Sequence, residues 1–407
     1  MKNTIIILMM LACVIAFAQS DISSFIGSPS DALPIGMDVR AFSMGNCIAA
    51  NSQGAASMLR NPSGIGWIEK GQFSFTGALD IMGSHGFEED VYEDLGYEEY
   101  SSKSQIFPKI SGIGFATPIP VNAPFKLVGG LGWGKFFDFS GKSKTTWEAK
   151  ASDQEYEATS VVSGGFHILN PTIAACFADN YVVGVSYGFA MMSNNSGKIE
   201  GEYKNPDSDS ESEFKSDLSG SIMQLSGQAK FMDRIKVGFS FAPAFEIEYK
   251  DPEVENDPGG EIEYDDIEYE FPAYMAIGAA YDFTEDITVT AEYQNRPYDD
   301  TEVENTDIGV ENGSSFRVGF EYRGPIALRA GFFTDKLAVE AEPGEDEPAS
   351  GMGITGGIGV AVGPIGLDIG AFYQSAKWEQ TVSGKDEEYK SDLIGVAATA
   401  VYEIDLF

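Results

Sequence analysis

The chain has 407 residues, with 63 acidic against 26 basic side chains and a formal net charge of −37 at pH 7. This excess of negative charge excludes nucleic acid and other polyanions as partners. It does not indicate disorder, because 43% of the residues are hydrophobic and the acidic residues are concentrated in the gaps between apolar segments.

Residues 1–18 predict a secretory signal peptide. Lys2 precedes an apolar run, and Ala16-Phe17-Ala18 is a cleavage site of the A-x-A type. The two cysteines after this segment, Cys47 and Cys176, allow either one disulfide or two buried thiols, and the thiols are favoured. No later run has the length of about 18 apolar residues that a membrane helix needs. If the chain spans a membrane, it must therefore do so as a β-barrel.

Residues 19–70 have the sequence pattern of neither strands nor acidic loops. Asn51 and Ser52 are good N-caps for a short helix over residues 53–59, and Pro62 is predicted to stop it. Small side chains dominate this segment and suit it to close enclosure by another part of the chain.

From Gly71 onward, polar and apolar residues alternate with period two, which is typical of strands with two different faces. Phe239 and Phe241, for example, alternate with Lys236, Gly238 and Ser240. The pattern predicts about fourteen strands. They lie near 71–81, 107–117, 125–137, 168–178, 181–193, 218–232, 235–249, 271–283, 287–297, 314–323, 326–335, 353–362, 365–377 and 391–404, and Asn170-Pro171 breaks the fourth.

The predicted connections alternate between very short and long. Ala178-Asp179-Asn180 and Gly363-Pro364 are short, whereas the intervals 82–106, 138–160, 194–217, 250–270, 298–313, 336–352 and 378–390 read as long acidic loops. Bacterial outer-membrane barrels have short periplasmic turns and long extracellular loops. The sequence therefore predicts an all-β chain, with a transmembrane antiparallel barrel over residues 71–407 and a short helical plug over residues 19–70 inside its lumen.

The predicted plug carries a recognisable motif, IGMDVRAFSMGNCIAA followed by NPSGIGW. This motif resembles the N-terminal signature of the FadL superfamily of outer-membrane proteins, the long-chain fatty-acid transporter type, and is most similar to its PorV/PorQ branch. The resemblance implies a hatch inside a fourteen-stranded barrel in the outer membrane of a Gram-negative cell. The hatch residues that match are Arg40, Met44, Gly45, Asn61, Pro62 and Gly64, together with Ile35, Gly36 and Ala41. The sequence departs from the pattern at Asp38, Val39, Asn46, Ser63 and Ile65.

The last residue is Phe407, and a terminal Phe after an amphipathic last strand resembles the assembly signal of outer-membrane proteins. Glu403 and Asp405 lie on the same face as Phe407, which departs from the usual signal.

Catalytic motifs are weak. Gly184-Val185-Ser186-Tyr187-Gly188 has the form G-x-S-x-G, but it lies inside a period-two run instead of at a strand-to-helix turn. The two histidines, His85 and His167, are not tied to it. Gly141-Lys142-Ser143 lacks the first glycine of a phosphate-binding loop. We therefore predict neither an enzyme nor a cofactor.

Two acidic stretches, residues 207–213 and 253–266, offer carboxylates for calcium but lack the spacing of a defined calcium loop. Solvated loops are the favoured interpretation, and no metal site is predicted. A weaker hypothesis has divalent cations bridging these loops to lipopolysaccharide phosphates.

Charged residues on the polar faces of the predicted strands point to the lumen. They form either a charge ladder that holds the plug or lines a passage, or simply a polar interior, which is favoured. These residues are Lys236, Glu292, Arg317, Glu321, Arg329 and Asp368. Inward aromatic side chains, such as Phe333 and Phe372, are expected to be few.

The resemblance implies passive transport of hydrophobic small molecules, such as long-chain fatty acids, with outer-membrane lipid and lipopolysaccharide as surroundings. The alternative is a PorV/PorQ-type component of a protein secretion or surface-attachment system, with a secreted protein as its partner.

Overall fold

The computed structural model describes residues 38–87, 91, 97–138, 140–149, 154–163, 165–190, 193–203, 210–257, 260–297, 302–303, 306–307, 312–342, 347–382 and 385–405. The predicted signal peptide, the first part of the predicted plug with Ile35 and Gly36, and the terminal Phe407 lie outside these residues.

Strands make up most of the described chain, and the pairs they form are antiparallel. Their bounds are β1 (Gly71–Gly86), β2 (Tyr97–Ser104), β3 (Phe107–Ile119), β4 (Phe125–Asp138), β5 (Gly141–Ala149), β6 (Gln154–Ser163), β7 (Gly165–Phe177), β8 (Tyr181–Ala190), β9 (Ser193–Tyr203), β10 (Ser210–Phe231), β11 (Ile235–Ala242), β12 (Phe245–Asp257), β13 (Gly260–Glu263), β14 (Ile267–Phe271), β15 (Tyr274–Asp282), β16 (Ile287–Arg296), β17 (Glu302–Val303), β18 (Thr306–Asp307), β19 (Gly313–Arg323), β20 (Ala327–Glu340), β21 (Pro348–Val362), β22 (Ile365–Val382) and β23 (Lys385–Ile404).

Fourteen of these strands close a barrel. Their order is β1, β3, β4, β7, β8, β10, β11, β15, β16, β19, β20, β21, β22 and β23, and β23 pairs back onto β1 with Gly71 opposite Ile404. The predicted all-β fold with a fourteen-stranded antiparallel barrel is confirmed.

The predicted break at Asn170-Pro171 is wrong for the strand as a whole. β7 runs through both residues, which pair with Gly132 and Leu131 of β4. Pairing with the other neighbour, β8, skips these two positions. Because proline has no N–H to donate, the missing ladder bond falls on the side where the pairing is interrupted.

Tight turns define one end of the barrel. Ala178 and Asp179, and likewise Met232 and Asp233, have positive φ in succession. In the first turn the Asn180 amide donates to the Phe177 carbonyl at 3.1 Å, and this is the geometry of a type I′ hairpin. We call this the short-turn end, which is periplasmic in outer-membrane barrels.

At the other end the structure corrects the predicted long loops, because strands continue into them. β2, β5, β6 and β9 lie largely within the predicted loop intervals, and the first half of β10 pairs with β9 and β12 instead of with β8 and β11. These strands extend the sheet beyond the closed barrel. Their sequences lack the regular period-two alternation that marks a membrane strand, although backbone pairing persists.

The predicted helix over residues 53–59 is also wrong. The structure has an α-helical turn, α1 (Val39–Phe42), and two 3₁₀-helices, Ala55–Ser57 and Pro62–Trp67. Pro62 therefore begins a helical turn instead of ending one, which suits its fixed φ at the first helical position. Across the described ranges, no helix is long and apolar enough to cross a membrane.

The outer face of the barrel is apolar, and the inner face is packed. Phe73, Phe239 and Phe320 point outward, with 41–45% of their surface exposed. The residue that follows each of them in sequence, Ser74, Ser240 and Glu321 respectively, is buried. A wide exposed belt of aromatic and aliphatic side chains is the inverse of a soluble fold and matches contact with lipid.

Candidate functional site

The described residues 38–70, which we call the hatch, lie against the inward faces of the barrel strands. Asp38 caps α1 by accepting a hydrogen bond from the Ala41 amide at 3.0 Å. Gly45 and Asn46 then adopt left-handed conformations that turn the chain after α1. Cys47 follows, and burial raises the pKa of its thiol well above the usual range. Cys47 and Cys176 are both free and buried, so the favoured interpretation of two thiols is the one observed.

An ion cluster joins the hatch to the barrel near the short-turn end. The Arg40 guanidinium donates to both carboxylate oxygens of Glu321, with Nε–Oε1 at 2.9 Å and Nη2–Oε2 at 2.7 Å. Arg329 also donates to Glu321 at 2.8 Å and reaches Asp368 at 2.6 Å. Arg323 also donates to Glu321 at 3.2 Å, so three guanidinium groups share one buried carboxylate. Asp368 and Asp282, which lies 3.1 Å from Arg323, balance the remaining positive charge.

Two further members of the predicted ladder hold hatch backbone. Glu292 accepts the Ala49 amide at 2.6 Å and the Gln294 side chain at 2.7 Å. Arg317 donates to the Asn46 carbonyl at 3.4 Å and lies 5.7 Å from the Phe333 ring centre. Among the described residues, the ion pairs of the cluster do not include Lys236, which lies three strands away from Glu321 on β11.

Asn61 organises the interior of the hatch. Its side-chain amide donates to the carbonyls of Ile48 and Ala49 at 2.7 and 2.9 Å, and its oxygen accepts the Ser63 hydroxyl at 2.6 Å. The side chain is fully buried, so these bonds replace water for groups that would otherwise lack a partner. Asn61 therefore ties the turn after α1 to the second 3₁₀-helix.

The remaining hatch residues that match the motif serve close packing. Met44 is buried, and its sulfur lies 3.1 Å from the Asn51 side-chain nitrogen. The Gly64 carbonyl accepts the Gly54 amide at 3.1 Å, and a Cβ at Gly64 would strike Ser57. Gly45 donates its amide to the Thr355 hydroxyl at 2.9 Å, and that hydroxyl in turn donates to the Ser43 carbonyl.

Inward-facing glycines of the barrel form a seat for the hatch. A Cβ added at any of these positions would come within 3.0 Å of a hatch atom, a distance that real Cβ atoms do not tolerate. At Gly184, Gly238, Gly319 and Gly331 the atom struck belongs to the hatch backbone. We define the glycine seat as Gly130, Gly134, Gly184, Gly238, Gly319, Gly331, Gly357 and Gly370.

The sequence did not identify this seat, although a signal for it was present. Gly319 lies between Arg317 and Glu321 with period two, and Gly331 lies two residues after Arg329. A glycine on the face already assigned to the lumen indicates close approach of another backbone.

On the long-loop side of the hatch, one side of the lumen is lined by aromatic residues. The Phe245 and Phe271 rings are stacked at 5.1 Å, Phe136 meets Phe245 edge-on at 6.0 Å, and Arg60 of the hatch lies 4.3 Å from the Phe136 ring centre. The set belongs to one apolar cluster that includes Met58, Leu59 and Ile65 of the hatch. We define the aromatic wall as Phe136, Phe166, Phe245, Tyr249, Tyr269 and Phe271. The expectation of few inward aromatic residues is therefore wrong.

The strands opposite the aromatic wall carry buried charges. Arg296 of β16 and Asp335 of β20 form an ion pair whose side chains are 4% and 0% exposed. Together with Glu292 and Arg317, they make this side of the lumen polar, so the two sides of the lumen differ in chemistry.

Carboxylates that could hold a metal ion occur on the outer surface. Oxygens of Glu246, Glu268 and Glu270 lie within 4.8 Å of one another on β12 and β14. Two of the three side chains are exposed, and exposed carboxylates commonly lie close together without a bound metal ion. We therefore do not assign a metal site to this group. Residues 207–209 of the first acidic stretch lie outside the described residues.

The comparisons with known proteins agree with this architecture. The family model of the outer membrane protein beta-barrel domain matches residues 122–323. No curated protein matches the chain.

Solved structures with the same fold cover nearly the whole chain. A Pseudomonas aeruginosa FadL homologue is similar with a TM-score of 0.56 and 13% identity, over 88% of this chain and 96% of its own. The Pseudomonas putida toluene transporter TodX is similar with a TM-score of 0.58 and 13% identity, over 91% of this chain and 98% of its own. The Ralstonia pickettii toluene transporter TbuX is similar with a TM-score of 0.52 and 13% identity, over 91% of this chain and 98% of its own.

The chain is therefore an outer-membrane β-barrel, and its location in the bacterial outer membrane is confirmed. Its fold, a closed fourteen-stranded antiparallel barrel, is similar to those of the FadL homologue and the two toluene transporters.

Proposed function

We propose that this barrel lets hydrophobic small molecules pass passively across the outer membrane, with the hatch as the element that controls passage. The observation that carries the proposal is the aromatic wall, an apolar cluster on the inner side of the barrel that packs against Met58, Leu59 and Ile65 of the hatch. A molecule moving along it exchanges one apolar contact for another and does not re-enter water. The structural relatives described as toluene transporters support such a cargo.

The hatch is held by contacts that can be released without unfolding the barrel. They comprise hydrogen bonds, the Arg40 ion pair with Glu321, and close packing on the glycine seat. We propose that local movement of the hatch, of the kind seen in other weakly held segments, opens the passage.

Whole-cell uptake tests this function, because the charged lipopolysaccharide leaflet slows apolar molecules that pure lipid bilayers admit freely. The chain would be expressed in a host that lacks its own FadL-type barrel, and initial uptake of labelled toluene and of a labelled long-chain fatty acid would be measured. We expect expression to raise uptake of at least one of them. Uptake equal to the empty vector for both would overturn the proposal.

The matched variants are Phe245→Ala with Phe271→Ala on the aromatic wall, and Phe239→Ala on the outer face. The inward double variant should lose most of the gain, since it removes the stacked pair. The outward variant should retain it, because Phe239 faces lipid with 45% of its surface exposed.

A PorV/PorQ-type role in protein secretion or surface attachment is the second candidate. The hatch motif supports it, and so does the sheet that β9, β10 and β12 extend beyond the closed barrel, which offers a broad surface to a protein partner. Co-purification of one secreted protein with the barrel, together with no gain in uptake, would favour this role over transport.

A further inference from the structure

A pocket with a mixed apolar and polar lining lies at the end of the hatch, beside β1 and β23. It has a volume of about 380 Å³, within the range of small-molecule sites. Its walls come from the end of the hatch and from the inward face of β23, where Glu403 donates its amide to the Pro364 carbonyl of a short turn. The pocket therefore opens at the short-turn, periplasmic end of the barrel.

The apolar lining of this pocket is continuous with the aromatic wall. Trp67 and Ile68 line the pocket. Ile68 also belongs to the buried cluster that contains the aromatic wall, and Trp67 packs against that cluster. These two side chains therefore belong both to the pocket lining and to the apolar packing between hatch and barrel.

The rim of the pocket is acidic. Glu69, Glu403 and Lys70 line it, and Lys70 is paired with Asp405 at 3.0 Å, so these four groups together carry a net negative charge. Two carboxylates with no net compensating charge repel an anion. An uncharged aromatic or aliphatic molecule meets the Trp67 ring, Ile68 and Val401 without that penalty.

Gln72 fixes the pocket between hatch and barrel. Its side-chain oxygen accepts the Ala55 amide at 3.1 Å, and its nitrogen donates to Glu403 at 3.4 Å. The hatch end is thus held against β1 while the pocket stays open beside it.

We infer that this pocket, lined by Trp67, Ile68 and Val401 and rimmed by Glu69 and Glu403, is an exit site that binds an uncharged apolar molecule before its release to the periplasm. The inference rests on the proposed uptake function and names the charge class of its cargo, since an anionic fatty acid is disfavoured at this rim.

The test uses the full barrel in detergent with Trp67 as its sole tryptophan, obtained by Trp133→Phe, Trp147→Phe and Trp378→Phe. The ligands are 4-bromotoluene and 4-bromobenzoate, which have similar shapes and differ in charge. Bromine quenches tryptophan fluorescence only on close contact. We expect saturable quenching by 4-bromotoluene, and binding of 4-bromobenzoate weaker by about fivefold or more.

Two substitutions locate the site. Val401→Phe fills the pocket and should weaken 4-bromotoluene binding about tenfold by steric exclusion, whereas Val237→Phe, on the outer face of β11, should leave it unchanged. The double variant Glu69→Gln with Glu403→Gln should reduce the difference in affinity between 4-bromotoluene and 4-bromobenzoate.

Quenching that does not saturate, or that is insensitive to Val401→Phe, would mean partition into detergent and overturn the exit site. Equal affinity for 4-bromobenzoate and 4-bromotoluene would overturn the inference that the pocket prefers uncharged molecules. The uptake assay separates this inference from the proposed function: protein-dependent uptake without saturable quenching refutes the exit site alone, and saturable quenching without any uptake refutes the transport role on which it rests.

Discussion

Arg40 of the hatch and Glu321 of β19 form a bidentate ion pair across 281 residues of sequence, with nitrogen–oxygen distances of 2.9 and 2.7 Å. The Glu321 side chain is 1% exposed and also binds Arg329. This carboxylate is the point at which the charge of the hatch is balanced by the barrel.

Glu321→Gln should release the hatch, because the guanidinium groups of Arg40, Arg323 and Arg329 would lose their shared counter-charge. Removing one partner of a buried pair costs about 3–5 kcal/mol. We expect brief openings in planar-bilayer conductance that are rare in the wild-type barrel. Glu388→Gln, in the exposed ion pair with Lys377, is the control and should leave the conductance closed. A closed Glu321→Gln barrel would show that the ion pair does not hold the hatch.

Gly331→Ala should prevent the hatch from seating. The added Cβ would strike the Gly45 amide nitrogen and the Met44 carbonyl carbon of the hatch backbone, and such overpacking costs about 1–3 kcal/mol. Gly356→Ala on the neighbouring strand is the matched control, since its nearest atom would lie at 3.7 Å. Faster entry of a small polar dye into proteoliposomes is expected for Gly331→Ala and not for Gly356→Ala. Equal rates for the two would contradict the role of the glycine seat.

The barrel could be predicted from the sequence because lipid imposes a pattern on it. Outward residues such as Phe239 must be apolar and their neighbours need not be, which leaves period-two alternation. Beyond the membrane that constraint ends. β9 and the first half of β10 therefore carry no such signal, although their backbones pair as regularly as the rest.

The site was less accessible to prediction. Phe245 and Phe271 flank the strand breaks at Pro243 and Pro272, where the alternation is interrupted and the face of a side chain cannot be assigned from its neighbours. The hatch takes its shape from contact with the barrel, as at Gly184 and Gly238, so local helix signals at Asn51 and Ser52 did not decide it. The alternation placed Glu321 on the polar face, but it could not name Arg40 as its partner.

Asn61→Ala should expose Cys47. The substitution leaves the buried carbonyls of Ile48 and Ala49 without their donor, at about 1–3 kcal/mol for each such group. In the wild type, burial raises the pKa of Cys47 and keeps its thiol protonated and inaccessible. Once in water, the thiol regains an ordinary pKa of about 8.5 and reacts near neutral pH.

The measurement is the rate of maleimide labelling in a Cys176→Ser background, and we expect an increase of about tenfold or more for Asn61→Ala. Asn61→Asp tests the donor itself, because a carboxylate cannot donate to the two carbonyls and should also accelerate labelling. Ser63→Ala, which removes only the bond to the Asn61 oxygen, should have a smaller effect. Unchanged labelling in Asn61→Ala would mean that this side chain does not hold the turn after α1.

Thr355→Val should loosen the hatch without disturbing the barrel wall. The Thr355 hydroxyl accepts a hydrogen bond from the Gly45 amide at 2.9 Å and donates one to the Ser43 carbonyl at 3.1 Å. Valine has a similar size but no hydroxyl, so the substitution leaves two buried backbone groups without a hydrogen-bond partner. Thr399→Val is the control: that hydroxyl bonds Thr76 at 2.7 Å, within the wall between β23 and β1. Both variants should fold, because each keeps the shape of the side chain. Conductance openings and Cys47 labelling should rise for Thr355→Val alone, and Thr355→Ser, which restores the hydroxyl, should return both to the wild-type level. If Thr399→Val opened the barrel equally, the wall and not the hatch would be the element that moves.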